Sequence, residues 1–469
     1  MALQYDAPVT AADLTTNLNA NATISDSTIA AISSLLNLDV ATTTVAVASY
    51  NAVTGEITGQ DGVTPDVVTI STEDTNTLAR AAAPQVTVDL KPVADASVFI
   101  FESDAGVTAT LATTAGADKI IVGGNGNDNI TVTGDANVTV DGGDGNDVIT
   151  TAGGNDTVIG GAGVNIISTG AGNDTIITGA GIANTIDAGT GFDTVQIGGA
   201  RDDFAVTQSG STLVLNGDDQ TTTVTHAEFL SFTDGQTLAI ADNAEDAAAL
   251  RLYEGLLGRD ADAGGAEFFT AAHDAGASGT ALAEVVVNSA EYKDIVTDSY
   301  IDDLYNNLLG RTDGADQAGQ DFWSNAVASG LSLSDLAVQL ADSAEGKAAT
   351  ATDTAFVNGL YEAALGRNAD TAGLDFWVDA LANGTSRTDI ASGIITSGEA
   401  ADHANVEFVN SLYTNALGRD NDANDVGGKA FWLTALDNGV SQAQVAIDIV
   451  GSPDAQAHIT NVVVVPGSV

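Results

Sequence analysis

The sequence predicts a multidomain protein: a parallel β-roll in mid-chain, a small mixed domain before it and an all-α repeat array behind it. Three observations carry this. A nine-residue frame, Gly-Gly-x-Gly-x-Asp-x-apolar-x, stands in full at residues 123–131 and 142–150, and recurs with partial decay at 151–159, 160–168, 169–177 and 188–196. Such a spacing is the signature of a roll in which each frame is a turn plus a short strand. The residues before it mix helical and strand periodicities. The residues after it carry a second, longer repeat.

In order along the chain, residues 1–113 are rich in Ala, Thr, Val and Asp. Ile29, Ile32, Leu35 and Leu36 fall at helical spacing. Val86, Val88 and Leu90, then Val98 and Ile100, alternate as strands do. A small mixed α/β or β domain is expected, without evident site chemistry. Residues 114–196 are the roll. Residues 197–244 carry turn signals at Asn216-Gly217 and Asp234-Gly235, and should cap the last coil, whose edge would otherwise stay unpaired.

Residues 245–460 hold four helical repeats, marked by Leu252-Tyr253, Leu304-Tyr305, Leu360-Tyr361 and Leu412-Tyr413. Each opens with a helical pattern and stops at Gly-Arg: Gly258-Arg259, Gly310-Arg311, Gly366-Arg367 and Gly418-Arg419. Glycine there suits a left-handed helix cap. An Asp-rich loop follows, then a glycine with an aromatic four residues on (Gly265/Phe269, Gly319/Trp323, Gly373/Trp377, Gly428/Trp432), then Ser-x-Glu or Ser-x-Asp. The arginine is expected to pair with the loop Asp or the Ser-x-Glu acid. The aromatics are expected to be core anchors, with carbohydrate or partner binding by exposed tryptophans as the alternative. Residues 461–469 form an apolar tail.

The nine-residue frame has a mechanism. Glycines at positions 1, 2 and 4 let the backbone turn tightly and present carbonyl oxygens. Asp at position 6 adds a carboxylate, and the apolar residue at position 8 points inward. Calcium takes 6–8 oxygens, carbonyls and carboxylates mixed, so one frame supplies about half a shell. Two frames make one turn of a roll, so a site needs frames i and i+2, stacked on one edge. Counted from residue 123, Asp128 and Asp147 share the first edge; Asp156, Asp174 and Asp193 share the second. Three pairs follow: Asp128/Asp147, Asp156/Asp174 and Asp174/Asp193. Asn125, Asn127, Asp144 and Asn146, in the turns of the two full frames, join the candidate ligand set. Asn takes position 6 at Asn137, Asn165 and Asn184, where weaker or empty sites are expected. The second and seventh frames each carry one extra residue, so local bulges are expected.

Acids outnumber bases 64 to 13, a net charge of −51. That excludes nucleic acid, whose phosphates need Lys and Arg, and leaves a chain that repels itself unless cations neutralise it. There is no cysteine, hence no disulfide and no thiolate zinc site. No stretch reaches the ~18 apolar residues of a membrane span. The N-terminus has no basic and apolar regions of a signal peptide. The four histidines are scattered, and no HExxH, P-loop or GxSxG motif occurs, so no enzyme is expected.

The frames at 114–196 resemble the RTX (repeats-in-toxin) family of secreted bacterial proteins, and the segment HAEFLSFTDGQTLAI resembles the closing segment of many such rolls. The resemblance implies calcium binding, export through a type I channel on an uncleaved C-terminal signal, and folding outside the cell. Modules of this kind bind calcium at about 10⁻⁴–10⁻³ M, so a tenfold excess adds about 1.4 kcal/mol per site. The helical repeats resemble an uncharacterised domain family of secreted and surface-layer bacterial proteins, best at residues 360–377. A calcium-dependent structural protein of the cell surface is expected, self-associating or bound to surface polysaccharide. The alternative is a carbohydrate-binding protein acting on exopolysaccharide.

Overall fold

Strand pairing in mid-chain follows the parity of the nine-residue frame. The first, third, fifth and seventh frames end in the strands Asn129–Thr133, Val148–Thr150, Gly163–Ser168 and Gly181–Asp187, which stack in parallel in one sheet. The even frames end in Val138–Asp141, Thr157–Ile159, Thr175–Ile177 and Thr194–Ile197, stacked in parallel in the other. In this computed structural model residues 7–21, 24–72, 85–179, 181–419 and 425–467 are described. The chain divides into two compact units, one of residues 1–247, 261–271 and 461–469, the other of 248–260 and 272–460.

Position 8 of each frame points inward, as a period of two requires. Ile130, Ile149, Ile167 and Ile186 form one buried ladder, and Val158, Ile176 and Val195 the facing one, each no more than 1% exposed. The seventh frame carries the expected bulge, a register shift opposite Gly163 and Val164.

The sheets do not begin at residue 114. Val47–Asn51 pairs in parallel with Val67–Ser71, that with Val98–Glu102, and that with Lys119–Val122. On the other sheet Val86–Asp89 and Val107–Ala112 precede Asn129–Thr133. The roll therefore extends well into the stretch expected to be a separate domain. A parallel stack needs only inward apolar alternation, whereas the glycine-aspartate turn marks the mid-chain coils alone. What remains mixed is the beginning. The helices Ala11–Asn19 and Asp26–Leu35 lie with Val67, Val98, Ile100 and Ile120 in one cluster. Asp141 fixes the second helix: its carboxylate accepts from Ser25 N–H (3.2 Å), Ser25 Oγ (2.8 Å) and Thr28 Oγ1 (2.7 Å).

At the other end Ala205–Ser209 and Thr212–Asn216 form a hairpin that continues onto Thr221–Thr225. Phe229–Phe232 and Thr237–Ala241 extend the second sheet. The apolar tail adds a last strand, Val462–Val464, parallel to Thr237–Ala241.

The second unit is helical. Gly258, Gly310, Gly366 and Gly418 end helices in the left-handed conformation, φ 65°, 72°, 64° and 62°, as the sequence requires. Each arginine that follows reaches the Ser-x-Glu acid: Arg259 to Glu291, Arg311 to Glu345, Arg367 to Glu399, and Arg419 to Asp454. The serine of the same motif caps the next helix, at Ser289, Ser343, Ser397 and Ser452.

The tryptophans are half-buried rather than exposed. Trp323 Nε1 donates to Tyr305 Oη (3.0 Å) and Trp377 Nε1 to Tyr361 Oη (3.1 Å). A Cβ on Gly319 or Gly373 would lie 2.6 or 2.7 Å from those hydroxyls, which is why a glycine precedes each aromatic by four residues. The exposed aromatic is the preceding one: Phe322, Phe376 and Phe431 are 63–64% exposed, each edge-on to its tryptophan.

Candidate metal centre

The turns of the roll stack position 6 of successive frames into two rows. The first runs Val107, Asp128, Asp147, Asn165, Asn184 and Thr222; the second runs Lys119, Val138, Asp156, Asp174, Asp193 and Glu228. Neighbours stand one strand spacing apart, about 4.8 Å. Within each row one carboxylate oxygen accepts from the backbone N–H of the coil before. Asp128 Oδ1 takes Val107 N–H (2.7 Å) and Asp147 Oδ1 takes Asp128 N–H (2.9 Å). Asp156 takes Val138 (2.9 Å), Asp174 takes Asp156 (2.7 Å) and Asp193 takes Asp174 (2.8 Å).

The second oxygen, Oδ2, is buried without a hydrogen-bond partner in all five aspartates, and the five residues are at most 1% exposed. A buried acceptor left unmade costs about 1–3 kcal/mol, more when charged. Asn165 shows what the position asks for. Its Oδ1 accepts from Asp147 N–H (3.0 Å) while its Nδ2 donates to Gly160 O (2.9 Å). Where asparagine offers a donor to the carbonyl at position 1, aspartate offers a second oxygen. Oxygen facing oxygen in a buried turn calls for a cation between them. The glycines at position 1 keep the space open: a Cβ on Gly142 would lie 2.6 Å from Asp147 Oδ2 and 2.9 Å from Gly160 O. On the second edge Thr151 and Thr169 replace that glycine, and Ala188 does so in the last frame; the threonine hydroxyls donate to the next coil, Thr151 Oγ1 to Thr169 O (2.8 Å) and Thr169 Oγ1 to Ala188 O (2.6 Å).

Electrostatics agree with the geometry. Burial pushes the Asp128 and Asp193 carboxyls up to about 8, Asp147 to about 7 and Asp156 to about 6, and raises Asp174. Neighbouring carboxylates add to it: Asp147 acts on Asp128, Asp174 on Asp156, and Glu228 on Asp193. A divalent ion relieves both penalties at once.

The remaining expected residues are placed differently. Asn127 and Asn146 are exposed, and their Oδ1 atoms accept from Asn146 N–H and Val164 N–H (both 2.8 Å) in an outer ladder. Asp144 is exposed. The Asn125 amide donates to Asp104 (3.0 Å), while its Oδ1 is buried without a partner. Asn137 belongs to the outer ladder, accepting from Asn155 N–H (2.8 Å), and Val138 holds position 6 instead. The extra residue of the second frame therefore precedes its turn. Four row members lie outside the frames: Val107 and Thr222 end the first row, and Lys119 and Glu228 end the second.

A two-sheet parallel solenoid with buried carboxylate rows along its turns is a cation-binding β-roll. The chain carries the RTX calcium-binding nonapeptide repeat, matched at residues 122–158, 150–183 and 159–195. Behind it stand three copies of a domain of unknown function (DUF4214), at 283–350, 347–404 and 399–459. No curated protein matches the chain. The repeats point to a secreted, calcium-binding bacterial protein. Among the described residues no helix is long and apolar enough to cross a membrane.

Proposed function

We propose that the chain is a non-catalytic structural protein of the bacterial cell surface, part of a surface layer, matrix or adhesive assembly, whose roll folds on calcium. The observation that carries this is the set of five buried, unpartnered carboxylate oxygens stacked in two rows. Asp128 and Asp147 hold calcium on one edge; Asp156, Asp174 and Asp193 hold it on the other, with turn carbonyls completing each shell. Export is through a type I channel, in which the chain stays unfolded until it meets external calcium. Self-association is supported by the exposed phenylalanines Phe322, Phe376 and Phe431, which recur at one position of the helical repeats.

Sedimentation and electron microscopy, in millimolar calcium and then in chelator, test this reading. Calcium-dependent, reversible assembly is expected. A chain that binds calcium but stays monomeric at high concentration contradicts the assembly role. Glycan binding abolished by Phe376→Ala would favour the exopolysaccharide reading instead.

A further inference from the structure

We propose that the coils before the frames, residues 24–72 and 85–112, fold without metal and act as a template, presenting one strand edge in each sheet on which the calcium-binding coils assemble. This rests on the calcium reading of residues 123–196 above and divides the roll into a metal-independent and a metal-dependent part.

The two parts bury apolar surface differently. The upstream strands turn two or three apolar side chains inward each: Ala48 and Tyr50, Val68 and Ile70, Phe99 and Phe101, then Val107, Ala109 and Leu111, all in one core cluster. The outer face of the second sheet is covered there as well, because Leu14, Leu18, Ile24 and Ile32 pack with Val67, Val98 and Ile100. Within the frames, Val148–Thr150 and Thr175–Ile177 each turn one large buried side chain inward, Ile149 and Ile176. On the outside Val148 and Ile166 stay 37% and 51% exposed. Apolar stabilisation grows with the area buried, so the upstream strands carry more of their own.

Polar groups divide in the same way. Asp66 accepts from Ala46 N–H (2.8 Å), and the Thr72 and Ser103 hydroxyls pair at 2.6 Å. Among the described residues up to 112, no buried side-chain nitrogen or oxygen lacks a hydrogen-bond partner, whereas residues 128–193 hold the five unpartnered carboxylate oxygens. The penalty that a cation relieves therefore begins with the frames.

The boundary is built to pass order on. The last upstream strand pairs with the first frame over five residues, Thr108–Ala112 against Asn129–Thr133, where Val148–Thr150 pairs with that frame over three. The second frame is gripped from outside, through the Asp141 carboxylate and the Ser25 and Thr28 hydroxyls (2.8 and 2.7 Å). A parallel stack must close its first coil before any neighbour rewards the closure. A preformed edge removes that step.

Amide exchange on the full chain, in chelator and then along a calcium titration, tests this. Without metal, residues 26–35, 47–51 and 67–71 should exchange at least about a hundredfold more slowly than an unfolded chain, while residues 123–196 exchange freely. Free exchange of both segments overturns the proposal; protection of both overturns the calcium reading beneath it. Phe99→Asp puts an unpaired charge into the upstream core, where Phe99 is fully buried. It should raise the calcium concentration that half-protects residues 123–196 at least about tenfold, with residues 290–460 protected as in wild type. An unchanged midpoint overturns the template. Should that variant leave residues 123–196 unprotected at every calcium concentration, Thr28→Val decides. It removes one hydrogen bond to Asp141 and should raise the midpoint at least about twofold; an unchanged midpoint there overturns the proposal.

Discussion

At position 6 of the frame, aspartate and asparagine accept the same backbone N–H and differ in one atom. Asn165 closes its own turn by donating to Gly160 O; Asp147 leaves an oxygen there with nothing to meet it. Asn165→Asp should therefore extend the first row and raise the calcium count by one, measured by calorimetry, while Asp147→Asn lowers it. Gly142→Ala should weaken calcium binding at that turn by at least about tenfold, about 1.4 kcal/mol, since the new Cβ would press on Asp147 Oδ2 and Gly160 O. In the helical unit, Tyr361→Phe removes the acceptor of Trp377 Nε1 and should cost about 0.5–1.5 kcal/mol in thermal unfolding.

At the scale of the element, the carboxylate rows couple the roll to protons. A carboxyl whose folded pKa is raised binds its proton more tightly folded than unfolded. The stability this gives is complete below the ordinary value, about 3.9, and is lost as pH rises through the folded one. For the calcium-free roll that window runs to about 6 for Asp156 and about 8 for Asp128 and Asp193. In chelator the roll should thus lose stability between pH 4 and 8, followed by chemical denaturation. In calcium the order reverses, because only the ionised carboxyls hold the metal. Calcium affinity should fall as pH drops from 8 to 6, with protons released on binding at pH 7.

How much of these elements the sequence disclosed depends on the kind of signal. The glycine-aspartate turns recur at a fixed nine-residue spacing, so Asp128, Asp147, Asp156, Asp174 and Asp193 were legible, as was the parity that sorts them. The coils from Val47 onward were not, because parallel backbone pairing leaves only alternation behind. Asn137 was assigned to the row, which Val138 fills, because one inserted residue can sit on either side of a turn. Glu228 was hidden by the hairpin inserted between it and Asp193. The tryptophans were correctly weighed as anchors, but that Phe322, Phe376 and Phe431 face solvent depends on packing around the neighbouring helix, which spacing alone does not set.

For the whole molecule, mass action governs. Each calcium adds about 1.4 kcal/mol at tenfold excess over its dissociation constant, so three sites together add about 4 kcal/mol, close to the lower end of the stability of an ordinary domain, about 5–15 kcal/mol. The helical unit has its own buried core, from Ile301 through Phe356 to Ile394, and ion pairs between its own residues, so its folding should not depend on the metal. The most direct test of a calcium-folded roll is amide hydrogen exchange across the full chain, in millimolar calcium and in chelator. Residues 114–196 are predicted to be protected with calcium and to exchange freely without it, while residues 290–460 stay protected in both. Equal protection of residues 114–196 in chelator would contradict the account.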